Sequence, residues 1–166
     1  MGKRNARFGP LVAVIGGSQA TPEEAAAAEA VGRALAEGGA VLVCGGRGGV
    51  MEAACRGARA GGGVTVAILP GSDASEANPY VDLPIVTGIG FARNAIILLT
   101  AQAVIAVGGS YGTLSELGYA LGFGRPVVGV GTWRMDRDGH PEPPIHREDD
   151  PQKAVAWVLE RVGDQE

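Results

Sequence analysis

The chain has 166 residues, of which 46% are apolar and 28 are glycine, and 14 basic against 18 acidic side chains leave a net charge of −4. That length gives one domain, spanning 1–166, with apolar material for a sizeable core and no room for a separate substrate domain. An acidic balance excludes bulk nucleic-acid binding, which needs a basic excess, but leaves room for a local anion site.

Residues 1–10 carry basic side chains but no apolar core of a leader peptide. An aliphatic run at 11–15 then reads as a strand and ends in Gly16-Gly17-Ser18. Thr21-Pro22-Glu23-Glu24 supplies an N-cap, a first-turn proline and a capping-box glutamate. Ala28, Val31 and Leu35 recur on one face of that helix, and Gly38-Gly39 ends it by permitting a left-handed cap. Residues 40–44 form a second strand, followed by Gly45-Gly46 and a helix over 50–60. A third strand at 64–69 runs into Pro70-Gly71, and a short fourth covers 85–87. A helix over 91–101, a strand over 103–107, a helix over 112–123 and a strand over 126–130 follow. Residues 132–149, with Pro141, Pro143, Pro144 and both histidines, read as a surface excursion. Asp150-Pro151 opens a last helix that runs to about 162.

Strands that are apolar on both faces belong in a parallel sheet covered by helices. Their alternation with helices gives an α/β fold: a single doubly wound, mostly parallel sheet flanked by helices, Rossmann-like. No apolar run approaches the ~20 residues that cross a bilayer. The expectation is a soluble, cytoplasmic protein with no membrane partner. Cys44 and Cys55 fit neither a disulfide framework nor a zinc spacing, and read as two buried thiols in a reducing compartment.

The glycines cluster where strands end and helices begin. In an open α/β sheet, ligands bind outside the carboxyl ends of the strands. Glycine there lets backbone N–H groups approach an anion, and the helix N-terminus adds partial positive charge. Neither G-x-G-x-x-G nor G-x-x-x-x-G-K-[ST] occurs after any of these strands, which excludes an ordinary NAD site and a P-loop. The candidates for holding a phosphorylated small molecule are Gly16, Gly17 and Ser18, then Gly45, Gly46, Arg47, Gly48 and Gly49, and finally Gly108, Gly109, Ser110, Tyr111, Gly112 and Thr113. Arg47 sits among glycines with little packing role, and its guanidinium suits a bidentate phosphate contact. Arg93 and Asn94 fall in the first turn of a helix, where a cation opposes the macrodipole. A residue that breaks a local rule is a functional candidate. Glu116 lies one turn into the helix after the third cluster, within reach of a sugar or base.

Gly108-Gly109-Ser110-Tyr111-Gly112 also matches the nucleophile elbow G-x-S-x-G, with Asp136 or Asp138 and His140 or His146 downstream in triad order. The chain is short for such a hydrolase, and the other glycine clusters would then have no purpose.

Taken together, Gly16-Gly17-Ser18, Gly45-Gly46-Arg47-Gly48-Gly49-Val50-Met51-Glu52-Ala53-Ala54, the segment 78–94 and the segment 108–116 resemble the bacterial and algal molybdenum cofactor carrier proteins. Those are similar in turn to the Lonely Guy phosphoribohydrolases, long labelled lysine decarboxylases, in one Rossmann-like superfamily. The resemblance covers about residues 12–130. It implies a homo-oligomer, dimer or tetramer, and two alternative functions. A carrier binds the anionic molybdenum cofactor or a nucleotide monophosphate, requires no cofactor of its own and performs no chemistry. A phosphoribohydrolase cleaves the N-glycosidic bond of a nucleoside 5′-monophosphate, and its catalytic residues would be Arg93 and Glu116. In the hydrolase motif P-G-G-x-G-T-x-x-E, Gly108 replaces the proline and Ser110 the second glycine. Asn94 replaces the lysine that follows the arginine. The carriers match these departures better, so binding without catalysis is the expectation.

Overall fold

A computed structural model describes residues 7–163. Of the basic N-terminal stretch discussed above, residues 1–6 lie outside the described residues. The strands are β1 (Leu11–Gly16), β2 (Val41–Cys44), β3 (Thr65–Leu69), β4 (Leu83–Val86), β5 (Ala103–Val107), β6 (Val127–Val130) and β7 (Ile145–Arg147). The helices are α1 (Pro22–Glu37), α2 (Val50–Ala60), α3 (Arg93–Thr100), α4 (Tyr111–Gly122) and α5 (Pro151–Gly163). One sheet runs in the order β4-β3-β2-β1-β5-β6-β7 with all pairings parallel, a Rossmann-like α/β fold. No helix among the described residues is long and apolar enough to cross a membrane.

The period of two along each strand sorts the core into two layers. Val12 and Val14 of β1 pack with α1, α2 and α5 on one face. Ala13 and Ile15 pack with α3 and α4 on the other. The first helix starts as its sequence requires: Thr21 Oγ1 accepts from Glu24 N–H at 3.1 Å, and Glu24 Oε2 accepts from Thr21 N–H at 3.0 Å. Helices α1 and α2 approach until their backbones nearly touch. A Cβ at Gly32 would stand 1.9 Å from Ala54 O, and one at Gly57 1.9 Å from Glu29 O.

The structure departs from the sequence reading by more than a residue in three places. The fourth strand runs Leu83–Val86 rather than 85–87, and every residue in it is exposed. It is a sheet edge, so the two-sided covering expected of an aliphatic run does not apply there, and Pro84 is tolerated because an edge strand need not donate on its outer side. The excursion 132–149 is not only a loop, since Ile145–Arg147 adds the seventh strand beside β6. Three residues, two of them polar, leave no apolar run to read. Finally, α3 begins at Arg93 after a 3-10 turn over Gly90–Ala92, two residues later than the reading from sequence.

Candidate functional site

Parallel strands align their carboxyl ends, so the loops after β1, β2 and β5 emerge along one edge of the sheet. The chain leaves β1 toward β2 on one side, and β5 flanks it on the other. That reversal opens a crevice at the strand ends.

The first two loops are packed backbone to backbone. Val50 N–H donates to Gly17 O at 3.0 Å. Gly49 has φ +61°, and a Cβ there would stand 2.3 Å from Gly17 O. Gly16 is equally confined, against the Val50 side chain and Val107 O. Asn78 braces the second loop: its N–H donates to Gly46 O at 2.8 Å, and its Nδ2 donates to Arg47 O at 3.0 Å. Arg47 itself stands half-exposed, 3.6 Å from Glu76. Such a surface pair holds its partners by less than ~1 kcal/mol, so the guanidinium is available to another anion. Beneath this loop the Cys44 and Cys55 thiols are buried, 3.6 Å apart.

Arg93 is only 7% exposed, so it is not the surface arginine that a first-turn position suggests. Its guanidinium reaches across to the second loop, where Nη2 donates to Gly45 O at 3.4 Å. Glycine at 45 leaves room for this guanidinium, since a Cβ would stand 2.7 Å from that nitrogen and push it aside. Nη1 donates to Asn94 Oδ1, while the buried Nε has no partner. Burial pushes the guanidinium below the usual arginine range, Glu116 opposes that shift and Arg47 adds to it. Arginine remains protonated regardless.

Glu116, also 7% exposed, lies on the inner face of α4. Burial pushes its carboxyl up to about 7, against the pull of Arg93. Among the described residues no direct Arg93–Glu116 ion pair forms; the two interact through space. A carboxyl poised near neutrality can either hold or accept a proton at the crevice. Asn94 ties the two helices together, donating from Nδ2 to Ser115 Oγ at 3.4 Å.

The third loop turns through Gly108 (φ +53°) and Gly109 (φ +117°). Thr113 is buried, and its hydroxyl accepts from Ser110 N–H at 3.2 Å. Ser18, Ser110 and Tyr111 are exposed. The excursion after β6 grips this loop from outside. Thr132 Oγ1 donates to Gly108 O at 2.6 Å and Trp133 Nε1 to Ser110 O at 2.9 Å. Arg147 in β7 donates to the carbonyls of Thr132 and Trp133.

All three glycine clusters, Arg93 and Asn94 therefore stand at one edge of the sheet, as their positions in the sequence suggest. Asn78, Thr132, Trp133 and Arg147 were not singled out. Their contacts span 14 to 32 residues and leave no local pattern. The triad order is not realised: His146 stacks flat on Trp157 with centroids 4.7 Å apart, and His140 pairs with Arg137. Two concavities elsewhere, about 340 Å³ beside α1 and about 350 Å³ within 135–143, contain none of the candidate phosphate-site residues.

Residues 10–155 match the SLOG cluster4 family. An uncharacterized protein of Archaeoglobus fulgidus is 44% identical over 119 residues, 72% of this chain and 78% of that protein. Among solved structures, the molybdenum cofactor binding protein from the phototrophic bacterium Rippkaea orientalis is 33% identical with a TM-score of 0.84, covering 95% of this chain and 99% of that one. The molybdenum cofactor carrier protein of Chlamydomonas reinhardtii is 33% identical with a TM-score of 0.81, covering 93% and 98%.

Proposed function

The chain belongs to the SLOG cluster4 family, and from that premise we propose that it is a single-domain binding protein for a phosphorylated small molecule. The ligand's phosphate lies at the crevice between the loops after β1, β2 and β5. One observation carries this reading: a nine-tenths-buried arginine with an unpartnered Nε, resting on a glycine that leaves it room. A buried donor without an acceptor is costly unless something supplies one. In the same reading Arg47 leaves Glu76 for the phosphate, and the turn 108–113 offers backbone N–H groups at the start of α4.

Both solved relatives are molybdenum cofactor binding or carrier proteins, which supports that cofactor, held by its phosphate, as the ligand. In this reading the chain binds and shields its ligand. A nucleoside monophosphate suits the same donors. A homo-oligomer is part of the reading: Leu83, Ile85, Val86, Ile89, Phe91, Ile96 and Leu99 expose much apolar surface around β4 and α3, which a second copy would cover. Light scattering that finds a monomer would remove that part alone.

Glu116 supports a second reading. A carboxyl near neutral pH beside an arginine suits a phosphoribohydrolase, in which it would activate water or stabilise an oxocarbenium-like centre. One experiment separates the two. Adenosine 5′-monophosphate and ribose 5-phosphate are titrated calorimetrically into wild type and Arg93→Gln, and released base is followed by chromatography in wild type and Glu116→Gln. Binding that falls at least tenfold in Arg93→Gln, without base release, is the expected result. Base release that Glu116→Gln abolishes would establish the hydrolase instead. Absence of binding in folded wild type would end the carrier reading.

A further inference from the structure

Among the described residues, Phe91 and Tyr111 are the two most exposed large hydrophobic side chains, at 84% and 81%. Phe91 continues the apolar surface that begins at Leu83. Tyr111 has a different setting. It is the first residue of α4, directly after the turn 108–110. One side of its ring is backed by Trp133, with centroids 5.8 Å apart and planes inclined by 32°. Trp133 is tethered at two points, because its indole N–H is bonded to Ser110 O and its backbone carbonyl accepts from Arg147 Nη2 at 2.7 Å. Arg147 in turn sits in β7, so the backbone that carries the indole is tied to the sheet. An aromatic ring fixed in this way loses little conformational freedom on docking a ligand. Nothing in the core or in the helix cap uses the Tyr111 ring.

We propose that Tyr111, backed by Trp133, is the stacking platform for a flat nitrogen heterocycle joined to the bound phosphate. This rests on the reading of 108–113 as a phosphate site, and it narrows the ligand class. Nucleotide bases and pterins share the required chemistry; sugar phosphates without a ring lack it. The β6–β7 excursion thereby gains a purpose, since Thr132, Trp133 and Arg147 hold the platform and the phosphate turn in one fixed relation. Stacking of one ring is worth roughly tenfold in affinity.

The test compares adenosine 5′-monophosphate and neopterin phosphate with ribose 5-phosphate, by calorimetry on wild type, Tyr111→Ala and Tyr111→Phe. At least one ring-bearing ester should bind wild type about tenfold more tightly than ribose 5-phosphate. Tyr111→Ala should erase that advantage by weakening the ring-bearing esters about tenfold, with a much smaller loss for ribose 5-phosphate because the backbone N–H of the turn is kept, and Tyr111→Phe should keep it. Equal weakening of all ligands in Tyr111→Ala would make the residue part of the turn and overturn the platform. So would an advantage that survives the alanine. Ribose 5-phosphate binding with no ring advantage in wild type would sink the platform alone. If no phosphate ester binds, the phosphate site itself falls, and the platform with it.

Discussion

Glycine occurs in both helical layers of this protein, for opposite reasons. Between α1 and α2, Gly32 and Gly57 are places where no other residue fits, because the facing backbone occupies the space of a Cβ. On α4, Gly118 and Gly122 meet nothing within 4 Å of that position and lie exposed. The first layer is completed within the chain. The second presents Ile96, Leu99, Tyr119 and Phe123 to the outside along with its open glycines. Small residues therefore mark a finished contact in one layer and an unfinished surface in the other, and only the neighbours tell them apart.

The comparison can be broken most severely at Gly57. Gly57→Ala should lower unfolding free energy by roughly 3 kcal/mol or more, because the methyl group meets a carbonyl oxygen that belongs to another helix. Denaturant titration would show it, and a loss below ~1 kcal/mol would mean the helices part easily.

Glu116 gives the next effect, inside the second layer. Its carboxyl is raised in the fold from 4.5 to about 7, so the native state retains the proton that the unfolded chain releases. The associated stability is full below about pH 4.5, is lost as pH rises toward 7, and is constant above that. Glu116→Gln should lack this slope and be more stable than wild type at pH 8, by on the order of 2–3 kcal/mol. Parallel stability profiles for the two proteins between pH 4.5 and 7 would refute the raised value.

The smallest effect is the most informative about the open layer. Gly118→Ala should stabilise by up to ~1 kcal/mol, since alanine favours an exposed helix and nothing stands in its way. A loss of stability instead, growing with protein concentration, would show that a second copy lies on α4 and would bring the two layers into agreement.

Most of the fold is legible in the sequence because its strands are central. Runs such as 103–107 are buried on both faces and carry no polar interruption, and their observed bounds match the reading. Legibility fails at the two sheet edges. At β4 the aliphatic run is exposed, so its apolar character no longer locates it within the core. At β7 the strand is held by a neighbour and carries His146 and Arg147. The site divides in the same way. Glycine loops follow strands and can be seen at once, and Arg93 attracts notice by opposing the helix dipole. Asn78 and Trp133 act on loops that are distant in sequence, and only the folded chain brings them there. Likewise, burial of Glu116 depends on what α3 and the sheet lay over it.

The crevice lies between β1 and β5, whose pairing joins Val12 to Ala103 and Gly16 to Val107. Those partners are separated by 91 positions, so more than half the chain must emerge before the central pairing can close. Long-range parallel pairing is slow, because the loop entropy is lost before the contact forms. During synthesis, residues 11–69 can assemble β1, β2 and β3 with α1 and α2 while one side of β1 still lacks its neighbour. The growing chain thus carries an unpaired central edge until β5 arrives, and the crevice is among the last parts of the molecule to exist.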